Sequence, residues 1–189
     1  MISPAPAKSQ RGVTLVEVLV TMVILAIGLL GLVALQARVQ ILQAEAYQRA
    51  QALMLLKDMA GRIANNRNNA DLYAAGAGAP VGVGPGACPA AAATRHSVDL
   101  AEWCAALQGA SESLGVRRVG AMVGGRGCVQ RPNPGEFLIT VAWQGLAPIA
   151  APPVDVTCGA GLYGADGTPC AGDVCRRVVT TVVIIPDLT

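Results

Sequence analysis

The sequence predicts an α+β fold: a long N-terminal α-helix, its first half transmembrane, packed along its second half on an antiparallel β-sheet. Three observations predict it. An uncharged apolar run opens the chain, a pattern of helical period continues it, and the branched, alternating segments and all six cysteines lie beyond both. Strands gathered after a single long helix, without βα alternation, place the chain in the α+β class.

The apolar run is the first element. Val18 to Leu35 reads VLVTMVILAIGLLGLVAL, 18 residues without a charge, and Val13 to Leu35 makes 23. As a helix that is roughly 35 Å, enough for a hydrocarbon core of about 30 Å. Over the whole chain charged residues are only 14% and mean hydropathy is +0.49, which a soluble domain rarely shows. Lys8 and Arg11 precede the run and no acid does, so the positive-inside bias puts the N-terminus in the cytoplasm and residues after about Arg38 outside. A cleaved secretory signal fits less well: its apolar region is shorter, and no clear small-x-small site follows Leu35. Glu17 is the anomaly. A carboxylate inside such a span costs about 2.5–3.5 kcal/mol, and it needs a partner.

From Val39 the residues Leu42, Ala46, Ala50, Leu53, Leu56, Ala60 and Ile63 recur at three or four and form one apolar face. Arg38, Glu45, Arg49, Lys57, Asp58 and Arg62 fall mostly off it. One helix is therefore expected from about Val13 to Asn66, roughly 80 Å long. Gly28 and Gly31 each weaken it by about 1 kcal/mol relative to Ala; they serve either close helix packing or stretching during assembly. IANNRNNADLY ends the helix, and Ala74 to Ala93, almost all Ala, Gly, Pro and Val, reads as a linker without a strand. SVDLAEWCAALQG is a short helix capped by Ser97 or Asp99, with Leu100, Trp103, Cys104 and Leu107 on one face. VRRVGAMV and GCVQR are short strands. Phe137 to Trp143, FLITVAW, is the clearest strand, and 174–185, VCRRVVTTVVII, closes the sheet.

All six cysteines, Cys88, Cys104, Cys128, Cys158, Cys170 and Cys175, follow the apolar run. An even number on the exported side points to disulfides, with 15 possible pairings; Cys170 could close a small loop with Cys175 and Cys88 could reach Cys104, and the alternative is a mixture of bridges and free buried thiols. Little else carries chemistry. Net charge is +2 and no basic run tracks phosphates, so a nucleic-acid partner is not expected. There is no CxxC and only one histidine, His96, expected in a solvated loop, so neither a metal site nor a thiol oxidoreductase is indicated. No nucleophile elbow occurs. Asp155, Asp166 and Asp173 around YGADGT are poorly spaced for a calcium loop. GVGPGAC lacks the strand, Lys and helix of a phosphate loop. Trp103 and Trp143 are expected in the core.

The segment RGVTLVEVLVTMVILAIGLLGLVAL, Arg11 to Leu35, resembles the N-terminus of type IV prepilins. Such chains carry a short basic leader ending in Gly, then an apolar helix with Glu as the fifth mature residue. The resemblance implies cleavage after Gly12 by a prepilin peptidase, Val13 as the first mature residue and site of N-methylation, and Glu17 as the fifth. The family usually begins its mature chain with Phe or Met; here Val13 stands there. Cleavage would create a cationic amine on Val13, which the i, i+4 spacing places on the face of Glu17. In a fibre, Glu17 would meet the amine of a neighbour, and a misregistered subunit would leave the acid unpaired. Glu17 is thus an assembly and register device.

AIGLLGLVALQ, AYQRAQALMLLKDMAGRIANNRNNADLY, DLAEW and FLITVAW together resemble the PilV-type minor pilins, the type IV pilus modification proteins. This implies a low-abundance subunit of the inner membrane, then of the pilus, with its C-terminal domain periplasmic. Its implied partners are prepilin peptidase, other minor pilins, the major pilin, the inner-membrane assembly platform and the lipid bilayer. The implied organisation is a leader over 1–12, a transmembrane and fibre-core helix over 13–36, and its amphipathic continuation over 37–66. A Gly/Ala/Pro-rich loop over 67–96 and a disulfide-containing β domain over 97–189 follow. The expected function is a minor pilin of a priming or tip complex, with no enzymatic activity, cofactor or metal. A minor pseudopilin of a type II secretion system shares the same start and is the alternative. An envelope enzyme is the third reading, and it lacks a catalytic constellation.

Overall fold

The computed structural model describes residues 12–74, 79–83, 88–110, 113–115, 117–118 and 122–186. Lys8 and Arg11, half of VRRVGAMV (116 and 119–121) and the centre of GVGPGAC lie outside the described residues. Two compact units divide the chain, Met1–Leu42 and Gln43–Thr189.

The first helix, α1, runs Leu15–Asn65. In the first unit its described side chains are all exposed. By length and composition this stretch is apolar enough to cross a membrane, with a mean hydropathy of 2.9 over its best window. Gly28 and Gly31 touch nothing here: a Cβ at either would meet no atom within 4 Å. Packing among the described residues therefore does not account for them.

The second unit is built on residues 43–65 of α1. A 3-10 segment follows at Arg67–Ala74, then β1 (Val81–Gly82), α2 (Arg95–Leu107), β2 (Ser113–Leu114), β3 (Arg117–Arg118), β4 (Arg126–Asn133), β5 (Glu136–Gln144) and β6 (Arg176–Ile184). The main sheet has the order β1-β4-β5-β6 and is antiparallel throughout; β2 and β3 form a separate small hairpin. The β4–β5 turn is Pro134–Gly135. Pro suits its first position, and Gly135 adopts φ +73°, with the Ile185 carbonyl where a Cβ would sit.

The alternation of β5 sets the layers. Phe137, Ile139, Val141 and Trp143 face inward with Val129, Val179 and Val183, and pack in one core with Ala52, Leu56, Met59 and Ile63 of α1 and Trp103 and Leu107 of α2. Burying each such large side chain contributes about 1.5–3 kcal/mol. On the other sheet face Cys128, Ala142 and Val178 pack with Cys158 and Tyr163 from the long 145–175 connection.

Three expectations need correction. The buried face of α1 is Gln48, Ala52, Leu56, Met59 and Ile63, whereas Leu42, Ala46, Ala50 and Leu53 are exposed. The helix carries two apolar stripes, and the sheet covers the one that includes Gln48. Second, the 74–93 linker does contain a strand: β1 pairs Val81 with Gly127 and Gly82 with Arg126. Third, the N-cap of α2 is Thr94, not Ser97 or Asp99. Ser97 sits in the first turn and donates its hydroxyl to the Thr94 carbonyl at 2.8 Å, while Asp99 is buried one turn in.

Candidate functional site

The segment singled out for function begins where α1 begins. Gly12, Val13 and Thr14 precede the helix, and Glu17 lies in its first turn. Thr14 caps the helix: the Glu17 N–H donates to Thr14 Oγ1 at 3.3 Å and to the Thr14 carbonyl at 3.1 Å. Thr14-Leu15-Val16-Glu17 has the spacing of a capping box, a signal that the reading of Glu17 as a lone intramembrane acid passes over. A carboxylate at this position is also favoured by the positive end of the helix dipole. Thr21 satisfies its own hydroxyl on the Val18 carbonyl at 2.9 Å, so it adds no unpaired polar group to the run.

Val13 precedes the first helical residue. The helical i, i+4 relation that would set its nitrogen on the face of Glu17 therefore does not hold in the uncut chain. Gly12 is exposed, and a Cβ there would meet nothing within 4 Å. Gly12 and Val13 are thus exposed and lie outside the helix.

In the second unit, polar side chains fix α1 to the rest of the domain. Arg62 is the hub. Its Nε donates to Asp58 at 2.9 Å, and its Nη1 donates to Asp99 at 2.9 Å and Glu102 at 2.7 Å. Asp99, 1% exposed, also accepts from Tyr73 and Arg95, and Asn66 donates to the Tyr73 oxygen at 3.1 Å. Burial alone would raise the Asp99 pKa; hydrogen bonds from Tyr73 and Arg62 and the charge of Arg95 outweigh it and hold the carboxyl below its ordinary value. Burial, and then the bond to Asp99, push the Tyr73 phenol up. The Trp103 indole N–H donates to the Leu55 carbonyl at 2.9 Å, a second tie between α2 and α1. Elsewhere Glu45 accepts from the Leu146 N–H at 3.0 Å and pairs with Arg177 at 3.4 Å. Glu45 and Arg62, read as residues off the packing face, are therefore its polar borders.

The cysteines are all paired: Cys88–Cys104, Cys128–Cys158 and Cys170–Cys175. The two short loops named from the sequence are among them. Cys88–Cys104 ties the stretch after β1 to α2. Cys128–Cys158 ties the outer face of β4 to the long connection.

Chemistry beyond this is sparse. His96 is not in a loop but in the first turn of α2, half-buried, its ring edge-on to Tyr73 at 6.3 Å. Asp173 accepts from the Gly161 N–H at 2.9 Å and faces Arg176 at 3.1 Å, so its carboxylate is already engaged. Among the described residues no group of three His, Cys, Asp or Glu side chains is placed to hold a metal. An open cavity of about 540 Å³ is lined by Arg67, Asp71, Arg131, Phe137 and Ile185 among others; Asp71 and Arg131 pair across it at 3.1 Å, and no nucleophile–base pair lines it.

No curated protein and no solved structure matches the chain. Residues 7–33 match the prokaryotic N-terminal methylation motif, which takes in Gly12, Val13 and Glu17. With that motif at the head of a membrane-capable helix that runs on into an α+β domain, the chain is type IV prepilin-like.

Proposed function

We propose that the protein is a minor pilin of a type IV pilus, of the PilV type, acting by assembly and not as an enzyme. Prepilin peptidase removes the leader after Gly12 and Val13 becomes the methylated N-terminus. The subunit waits in the bacterial inner membrane with residues after about Arg38 in the periplasm. It then joins other minor pilins in a complex that primes or tips the fibre. The observation that carries this reading is the methylation motif over residues 7–33, with Glu17 in the first turn of an otherwise uncharged helix start. The three disulfides fit a domain that matures in an oxidising compartment. The DLAEW and FLITVAW segments, which build α2 and β5, are the pieces that favour a PilV-type subunit.

The test is mass spectrometry of the protein from sheared pili and from membranes. A mature N-terminus at Val13, and recovery in the sheared fraction with other minor pilins, are the expected results. Recovery only with the components of a secretion machine would replace this reading with a pseudopilin. An uncut N-terminus in both fractions would end it.

A further inference from the structure

We propose that the free edge of β6 pairs antiparallel with β6 of a second copy of this chain, joining two sheets across a two-fold axis. The inference is independent of the pilus reading.

β6 is the last strand of the main sheet, so one side of it has no strand among the described residues. Its hydrogen bonds identify the residues that face that side. The Ile185 N–H donates to Gly135, and the Cys175 carbonyl accepts from Gly145, so the odd-numbered residues point their backbone groups toward β5. The even-numbered ones point outward. The Val174 carbonyl is already taken, by the N–H of Ile149 at 2.8 Å, and Arg176 lies under the carbonyls of Val156 and Cys158. The chain's own 145–158 segment therefore covers the start of the edge and stops. Val178, Thr180, Val182 and Ile184 follow with outward N–H and C=O groups; Val182 is 47% exposed and Ile184 73%.

A long apolar edge is usually protected by a charge, a proline or a bulge. None stands among these four residues, and the nine-residue pairing of β5 with β6 is regular. The sequence says which strand fits. The outward-facing residues Val178, Thr180 and Val182 read the same in both directions about Thr180, with Val179 and Thr181 between them. Paired antiparallel with its own copy about Thr180, the strand sets Thr180 against Thr180 and Val178 against Val182. Such Thr–Thr and branched pairs stabilise cross-strand contacts, and no like charges oppose. Three outward residues per strand then exchange about six backbone hydrogen bonds.

The test uses the full-length protein in detergent and in membranes. All six native cysteines are in disulfides, so an introduced one is the only free thiol. Thr180→Cys should give covalent dimer with a short bis-maleimide. Ile184→Cys should give at least tenfold less, since its two copies would lie about 27 Å apart along the paired strands. Adding Val182→Lys to Thr180→Cys should cut the dimer at least tenfold, whereas Val182→Thr should keep it. Should Val182→Lys leave native cysteines unpaired and so fail to fold, the comparison of positions 180 and 184 decides alone. Equal cross-linking at both positions, no dimer at Thr180→Cys, or cross-linking to a different protein overturns the proposal.

Discussion

At Asp99 three donors meet one buried carboxylate, and the sign of its pH dependence follows. Its folded pKa lies below the ordinary value because Tyr73, Arg62 and Arg95 outweigh the cost of burial. A depressed carboxylate contributes stability that is present above the unfolded pKa, about 3.9, and is lost as pH falls through the lower folded value. Asp99→Asn keeps the shape and removes the charge, leaving Arg62 without its buried partner. The expected loss at neutral pH is about 3 kcal/mol, the low end for a broken buried pair because Arg95 is largely exposed. Urea unfolding of both proteins at pH 7 and pH 3 checks this: the gap should narrow in acid, and an equal gap at both would refute the assignment. Gly127 makes a steric prediction. A Cβ there would lie 2.2 Å from Cη2 of Trp103, which rests on the bare backbone of β4. Gly127→Ala should cost about 1–3 kcal/mol through overpacking, read as a lower unfolding midpoint; an unchanged midpoint would mean that the indole moves aside freely.

At the scale of elements, the disulfides rank by the loops they close. Cys128–Cys158 spans 30 residues and Cys170–Cys175 only 5. The chain-entropy account gives the longer loop more, and losing a native bridge typically costs about 2–5 kcal/mol. Serine at both Cys128 and Cys158 should therefore lower the unfolding midpoint further than serine at both Cys170 and Cys175. The reverse order would mean that packing around the small loop outweighs chain entropy. The elements themselves are unequally legible in the sequence. α1, α2, β5 and β6 announce themselves because their periodicity is local. The phase of α1 does not: Leu42, Ala46, Ala50 and Leu53 form a stripe as apolar as the buried one, and only the docking of the sheet chooses between them. The hubs Arg62 and Glu45 are hidden for the same reason, since their partners Asp99, Glu102 and Arg177 are remote in sequence. Two-residue β1 exists only because β4 offers it an edge. At the helix start the legible feature is Glu17, and the cap at Thr14 is readable from the T-x-x-E spacing but stands behind it.

For the whole molecule the deciding residue is Glu17, because it separates two demands on the same helix. Glu17→Val removes the only charge from the apolar run. Residence in a bilayer should improve, since an insertion cost of about 2.5–3.5 kcal/mol disappears. The capping hydrogen bond at Thr14 uses the backbone N–H of residue 17, so the helix start should persist. Leader removal should persist as well, because Gly12 and the basic leader are unchanged. Assembly should fail. In a bundle of such helices the amine of a neighbouring Val13 would be left without its carboxylate, and one member of a buried pair left alone costs about 3–5 kcal/mol. That is a factor of more than about a hundred in incorporation. Glu17→Gln is the informative companion: it keeps the side-chain length and loses the charge, so it should assemble as poorly as the valine variant if charge pairing is the cause. Glu17→Asp keeps the charge with a shorter reach and should fall between. The measurement is the ratio of protein in sheared pili to protein in the membrane pool, with processing followed on the same samples. Wild-type incorporation of the valine variant would show that this subunit finds its register without the acid. Failure of leader removal would show instead that Glu17 is read by the peptidase.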